Sequence, residues 1–452
     1  VVTWRVPALL LALGAPTLVV CSVLSVSPWA PLGVVVAVVL ALFLLDLLIA
    51  APASDVTLHR SGPNQLRLGD SATVSLHITN TGVRTLRGLV RDAWVPSAGA
   101  GEPYAHSVLV DPGETTTVES VLTPTRRGDR PAARVTIRSY GLMGLAFRQT
   151  SRRRSRALTP AWVLRTLPEF KSRRLLPEKL SRLRVIDGQV VTRGRGQGTE
   201  FDSLRDYVIG DDPRSVDWRG SARRDHVVVK QWRPERDRRV LCVLDTGRTS
   251  AGRIATAAAP TTPEIGGEPR LDLAIDAALL LSTVAAHAGD RVDLLAVDTE
   301  THANLTTSNT RGLPRLQAAL APLQPALVET DFGRVASEVL ALERKRALVV
   351  LFTTLDAGAV GEGLLPVLPT LVSRHRVVVA AVHDPALEAY AGGRGGVGEL
   401  HVAAAAERGL AELRRVRAAL VRYGVTVIDA PAETFASQVA DTYLNLKAAG
   451  RL

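Results

Sequence analysis

The sequence predicts a multidomain chain: a transmembrane helical hairpin over residues 1–52, a small antiparallel β-sandwich over 53–151, a basic linker over 152–190, a densely charged region over 191–240 and a C-terminal doubly wound α/β domain over 241–452. Three observations predict this. Two long apolar runs open the chain, period-two alternation takes over after residue 55, and alternating strand and helix patterns begin at Val240. At 452 residues the chain exceeds one typical core.

Residues 6–26 are uncharged and apolar but for Thr17, Ser22 and Ser25, and residues 31–50 are apolar except for Asp46. Each run has about the twenty residues a helix needs to cross a bilayer. The link between them, Ser27-Pro28-Trp29-Ala30-Pro31, is short and uncharged, so the pair reads as a hairpin. A signal peptide would want a charged start beyond Arg5 and a small-residue cleavage site, and neither separates the two runs. Asp46 is expected in the headgroup region. Arg5, Arg60 and Arg67 flank the hairpin while its loop is uncharged, which predicts a multi-pass protein of the cell membrane with cytoplasmic soluble domains.

Residues 73–79, 116–122 and 133–138 alternate apolar with polar side chains, the pattern of half-buried strands. Asn80-Thr81-Gly82, Asp111-Pro112-Gly113 and Arg127-Gly128-Asp129 supply turns between them. No convergent catalytic set lies in this region, which reads as a spacer or docking module.

Basic residues exceed acidic ones by 55 to 44, a formal charge of +11, and residues 151–184 carry eleven Lys or Arg against Glu169 and Glu178 alone. Such a stretch is suited to anionic lipid. Nucleic-acid binding is not expected, because only Trp162 and Phe170 accompany these charges.

Strand patterns at 240–244, 292–297, 347–352, 376–382 and 425–428 alternate with helical patterns at 271–287, 313–323, 362–373, 407–423 and 432–447. That alternation predicts a parallel sheet covered on both faces, with a long loop over 251–270. Cys21 and Cys242 fit neither a disulfide framework nor a zinc spacing and read as buried fillers. The nine histidines form no ligand pair.

Between residues 198 and 239, acids, bases and aromatics crowd together. Glu200, Phe201, Arg205, Tyr207, Asp211, Arg214, Asp217, Trp218, Ser221 and Arg223 are the candidate partner-binding residues. Planar guanidinium groups pair bidentately with carboxylates, so a fixed ion-pair lattice is expected, with residues 227–229 as a strand entering the sheet region. A triad of Ser221, His226 and Asp217 is disfavoured: near neighbours in sequence rarely reach triad geometry, and no nucleophile elbow surrounds the serine.

This run resembles the signature of the bacterial domain of unknown function 58 family, membrane-tethered proteins that join such a block to a von Willebrand factor type A-like domain. The resemblance implies a magnesium site of the metal-ion-dependent adhesion type, with Asp245 and Thr249 at its first and last loop positions and Asp356 as its distant carboxylate. Gly247 stands where that motif has a hydroxyl, and the distant threonine is one of Thr306, Thr307 and Thr310. Alternatively, Asp245 simply caps the turn after its strand. The resemblance also implies a non-enzymatic, membrane-anchored scaffold or adaptor whose partner is a MoxR-type AAA+ ATPase. The rival expectations are a metal-assisted hydrolase using Asp245, Asp356 and the acidic signature residues, and an envelope-facing adhesion module.

Overall fold

The computed structural model describes residues 2–193, 200–209, 211–233, 238–254, 267–307, 310–393 and 395–452, with side chains for all of these except 187–193, 200–203, 231–233 and 310. The chain divides into two compact units, Val1–Glu169 and Phe170–Leu452.

The first unit opens with helices α1 (Arg5–Val23) and α2 (Trp29–Ile49), both long enough and apolar enough to span a membrane. They pack as a hairpin, and a Cβ on Gly14 would rest in ordinary contact with Leu32. Asp46 lies near the carboxyl-terminal end of α2. It is buried, and its carboxylate accepts the backbone N–H of Met143 (2.7 Å), Leu145 (2.7 Å) and Ala146 (2.8 Å). Converging backbone donors satisfy a buried carboxylate that an apolar helix would otherwise leave without partners. The loop 141–146 therefore latches onto α2 through Asp46.

Strands β1 (Val56–Ser61), β2 (Gln65–Arg67), β3 (Ala72–Asn80), β4 (Leu86–Trp94), β5 (His106–Val110), β6 (Thr115–Leu122), β7 (Gly128–Tyr140) and β8 (Phe147–Gln149) follow. After helix α3 (Arg152–Leu158), strand β9 (Val163–Leu167) completes the set. One sheet has the order β1-β3-β6 and the other β2-β9-β7-β4-β5, with β8 beside β7. Alternation aims Leu76 and Ile78 of β3, Leu86 and Val90 of β4 and Val135 and Ile137 of β7 into one core. Arg60 is buried and paired with Asp92, stacking on Trp94 at 5.1 Å, so it does not serve as a charge flanking the membrane.

The expected linker over 152–190 is folded. Ser151 caps α3, and Leu164 and Thr166 of β9 point inward while Arg165 reaches Asp129 at the surface. Alternation survives among the arginines, so residues 152–167 extend the sandwich, while the stretch from Phe170 onward belongs to the second unit.

The second unit begins with α4 (Leu176–Arg193), which buries Leu183 in the core and Lys179 against Asp441 at 2.9 Å. Strand β10 (Glu200–Asp206), the short helix α5 (Trp218–Ser221) and β11 (Val228–Arg233) build a separate antiparallel lobe. Residues 227–229 therefore do not enter the main sheet. The chain continues through β12 (Arg239–Asp245), the short pair β13 (Arg253–Ile254) and β14 (Glu268–Pro269), and α6 (Arg270–His287). Then come β15 (Arg291–Val297), β16 (Thr301–Thr307), α7 (Leu313–Leu320), α8 (Phe332–Leu342) and β17 (Leu348–Phe352). The last elements are α9 (Leu365–Arg374), β18 (Arg376–His383), α10 (Pro385–Ala391), α11 (Val397–Arg422), β19 (Thr426–Pro431) and α12 (Ala432–Ala448).

The main sheet has the order β16-β15-β12-β17-β18-β19, parallel except for β16 at the edge. Val240, Cys242 and Leu244 face a core shared with α6 and α12; Leu241 and Val243 face another shared with α8, α9 and α11. Strands buried on both faces account for the unbroken apolar runs. The chain winds outward from β12 in one direction, then returns to wind outward from β17 in the other. Between these two strands lies the switch point where open α/β sheets take ligands, beyond their carboxyl ends.

Candidate functional site at the carboxyl edge of the sheet

Asp245 ends β12 at that switch point and is buried. Its Oδ1 accepts the Gly247 N–H at 2.8 Å and the Thr330 hydroxyl; its Oδ2 accepts Thr353 Oγ1 at 2.6 Å and Thr249 Oγ1 at 3.4 Å. The turn cap expected of Asp245 is present, and three hydroxyls from three separate segments meet the same carboxylate. Neither Thr306 nor Thr307 takes the distant position. Thr307 donates to Val292 O in β15, the side chain of Thr310 lies outside the described residues, and Thr330 reaches Asp245 instead.

Gly247 is explained by space. Its φ of −72° suits any residue, but a Cβ there would overlap Thr330 Oγ1. A hydroxyl that arrives from a distant loop thus occupies the space beside Gly247.

The next residue extends the cluster. Thr246 Oγ1 donates to Asp298 Oδ2 at 3.0 Å, and His302 Nε2 lies 2.7 Å from the same oxygen. Burial alone would raise the Asp298 carboxyl, but the Glu300 N–H, His302 and Thr246 outweigh it and hold it below the usual carboxylate range. Asp298, His302, Thr330 and Thr353 were not expected at the site. The positions of Asp298 and Thr353, each just past an apolar strand as Asp245 closes one, could have signalled those two; nothing comparable marks His302 or Thr330.

Asp356 does not join the hydrogen bonds around Asp245. Its Oδ1 accepts the Ala359 N–H at 3.0 Å, starting the turn that leads to α9, and it lines an adjoining cavity of about 210 Å³ with Arg270, Thr354, His383, Asp384 and Asp429. The space at Asp245 itself is about 20 Å³, room for one water-sized occupant. The Asp245 carboxylate and the hydroxyl-bearing Thr249, Ser250, Thr353 and Thr354 line it, ligand types that suit a hard cation, but the cationic Arg270 lines the same space and opposes one. Among the described residues no group of three His, Cys, Asp or Glu is placed to hold a metal, so an ion here would rest on the Asp245 carboxylate and neutral hydroxyls.

In the signature lobe, Arg205 clamps Asp211 bidentately at 2.8 and 2.6 Å. Asp217 caps α5 through the Gly220 N–H at 2.9 Å, with Lys230 at 3.6 Å. Ser221 Oγ donates to Asp217 O and accepts from the Val228 N–H, and His226 pairs with Asp206 at 2.9 Å, so these residues form no triad. The expected ion-pair lattice is partial: among the described residues Arg214 and Arg223 enter no salt bridge, and the backbone of Arg214 is held by Asp212. The Glu200 and Phe201 side chains lie outside the described residues. The apolar members turn outward, with Tyr207 39%, Val208 59%, Ile209 97% and Trp218 70% exposed.

The fold and site define an α/β protein with a carboxylate–hydroxyl cluster at its switch point, carried on a chain that opens with two apolar helices. Residues 203–423, which span the signature lobe and most of the sheet, match the family model described as "Protein of unknown function DUF58". No curated protein matches the chain. Among solved structures, the PilB minor pilin from Streptococcus sanguinis aligns over 81% of this chain and 88% of its own at 9% identity and a TM-score of 0.34. A CARDB domain from Pyrococcus furiosus, solved with di-metal ions, aligns over 25% of this chain and 88% of its own at 16% identity and a TM-score of 0.19. A beta-glucosidase from Listeria innocua aligns over 21% and 16% at 19% identity and a TM-score of 0.14. At such scores these likenesses carry no argument.

Proposed function

We propose that this chain is a membrane-anchored, non-enzymatic adaptor that binds a protein partner through its signature lobe and the Asp245 edge. One observation carries the reading: in the lobe Asp211, Asp217 and Ser221 are committed to Arg205 or to the backbone, whereas Tyr207, Val208, Ile209 and Trp218 are left to solvent. Exposed aromatic and aliphatic side chains framed by arginines suit a contact surface. A MoxR-type AAA+ ATPase is the partner proposed, on the strength of the family resemblance. The sheet order with its one antiparallel edge, and the hydroxyls gathered on Asp245, support a von Willebrand factor A-like reading of the α/β domain. Magnesium held by Asp245, Thr249 and Thr353 is part of that reading; membrane insertion rests on the two apolar helices, and a cytoplasmic soluble portion on Arg5 and Arg67 flanking an uncharged hairpin loop. The hydrolase alternative is disfavoured because Arg205 clamps Asp211 and Asp217 is engaged as a cap.

The test is the affinity of the full chain in nanodiscs for the purified MoxR-type ATPase. Trp218→Ala combined with Ile209→Ser is expected to weaken binding by about tenfold or more, the effect of losing one hot spot. Parent-like affinity in that variant would rule out this surface.

A further inference from the structure

At the carboxyl-terminal end of α2, the first unit carries a groove of about 750 Å³ that the adaptor reading does not use. It is lined by Leu48 and Ile49 of α2, by Arg84 and Arg87, and by Tyr140 and Leu142. Arg84 donates to Leu48 O, and Arg148 Nε donates to Leu47 O at 3.1 Å, so two guanidinium groups sit on the last carbonyls of the apolar helix. Arg87 is exposed, and its side chain enters no hydrogen bond or ion pair among the described residues. The opposing charge at the groove is Asp111, whose Oδ1 accepts the Thr85 hydroxyl at 2.7 Å. Leu142, 65% exposed, stands at the groove on the turn after β7.

If α2 crosses a bilayer, this end of it lies at headgroup depth, where apolar tips beside arginines match the boundary between acyl chains and phosphates. We propose that the groove seats an anionic phospholipid, its phosphate held by Arg84 and Arg87 and its upper acyl chain lying along Leu48 and Leu142. The proposal rests on the membrane reading of α1 and α2. A lipid bound there would tie the β-sandwich to the membrane surface at a second point besides Asp46.

The full chain, delipidated in neutral detergent, is titrated with phosphatidylglycerol, phosphatidylcholine or inorganic phosphate, and bound ligand is counted by native mass spectrometry. Phosphatidylglycerol is expected to be preferred over phosphatidylcholine by about thirtyfold, from two arginines near the surface. Arg87→Gln, which leaves the Arg84 bond to α2 intact, should reduce the preference to about fivefold. Arg84→Gln with Arg87→Gln should abolish it. An undiminished preference in the double variant overturns the proposal, as does inorganic phosphate competing as well as lipid. Carbonate extraction of proteoliposomes separates the two readings. A chain that inserts but shows no lipid preference defeats the headgroup site alone, whereas a chain that is washed out defeats the membrane reading as well.

Discussion

Thr330 Oγ1 fills the space that a Cβ on Gly247 would need, and the same hydroxyl donates to Asp245 Oδ1. The two residues are therefore coupled: glycine at 247 is the condition for threonine at 330. Gly247→Ala is expected to lower stability by about 1–3 kcal/mol through overpacking. Gly247→Ser with Thr330→Ala should recover most of that loss, because the new hydroxyl can serve Asp245 from the nearer position. Thermal unfolding of the two variants and of Thr330→Ala alone gives the cycle; purely additive losses would disprove the coupling.

The oxygen cluster around Asp245 makes magnesium binding measurable. Isothermal titration of the full chain with magnesium should give a saturable heat that Asp245→Ala removes. Absence of heat in the parent protein would retire the metal.

Asp46 holds three backbone N–H groups of the 143–146 loop. Asp46→Ala leaves those donors unmatched and should cost on the order of 3 kcal/mol, with Asp46→Asn milder because it retains one acceptor oxygen. Faster proteolysis between residues 141 and 146 in detergent would accompany the loss. Gly141→Ala should behave like Asp46→Ala, since a Cβ at 141 would collide with the Asp46 carboxylate.

Asp293 is buried in β15 beside Glu343, which Arg239 holds at 2.8 Å. Burial, reinforced by Glu343, pushes the Asp293 carboxyl up to about 6 from an ordinary 3.8. Between those two values the folded chain binds more protons than the unfolded one, so this group's contribution to stability falls as pH rises through the window and is fully unfavourable above about 6. Asp293→Asn should therefore raise the melting temperature at pH 8 and do so much less at pH 4.5. An equal change at both pH values would refute the assignment.

Cys242 lies in the core beside Ser282, and burial pushes its thiol up to about 12. In a Cys21→Ser background, thiol reagents at pH 8 should leave the folded protein unlabelled and label it fully in denaturant. Labelling at the rate of a free thiol would contradict the packing.

Periodicity was legible wherever burial was one-sided or complete. The five parallel strands and the hairpin helices stand within a few residues of where their apolar patterns put them. Strand β16 was missed because its exposed edge position lets it carry Thr301, His302, Asn304 and Thr306. Helix α8 was missed although Asp331 caps it through the Arg334 N–H, since its eleven residues follow a polar turn that masks their period. The basic stretch read as a linker because charge count hid the alternation of β9 and the single buried Lys179 of α4. In the signature, dense charge was visible, but not which groups were already spent on each other.

From its residues alone the chain declares two apolar helices, a β-rich middle, a doubly covered parallel sheet and an Asp at the end of that sheet's first strand. Local pattern suffices for these, because each follows from how one segment meets water or apolar surroundings. Which hydroxyls reach Asp245, that Asp356 is drawn into a turn instead, and that Asp46 clasps a loop about a hundred residues away were decided by tertiary structure. Such contacts join segments far apart in the chain, and only the crossing of the completed sheet and loops sets their distances.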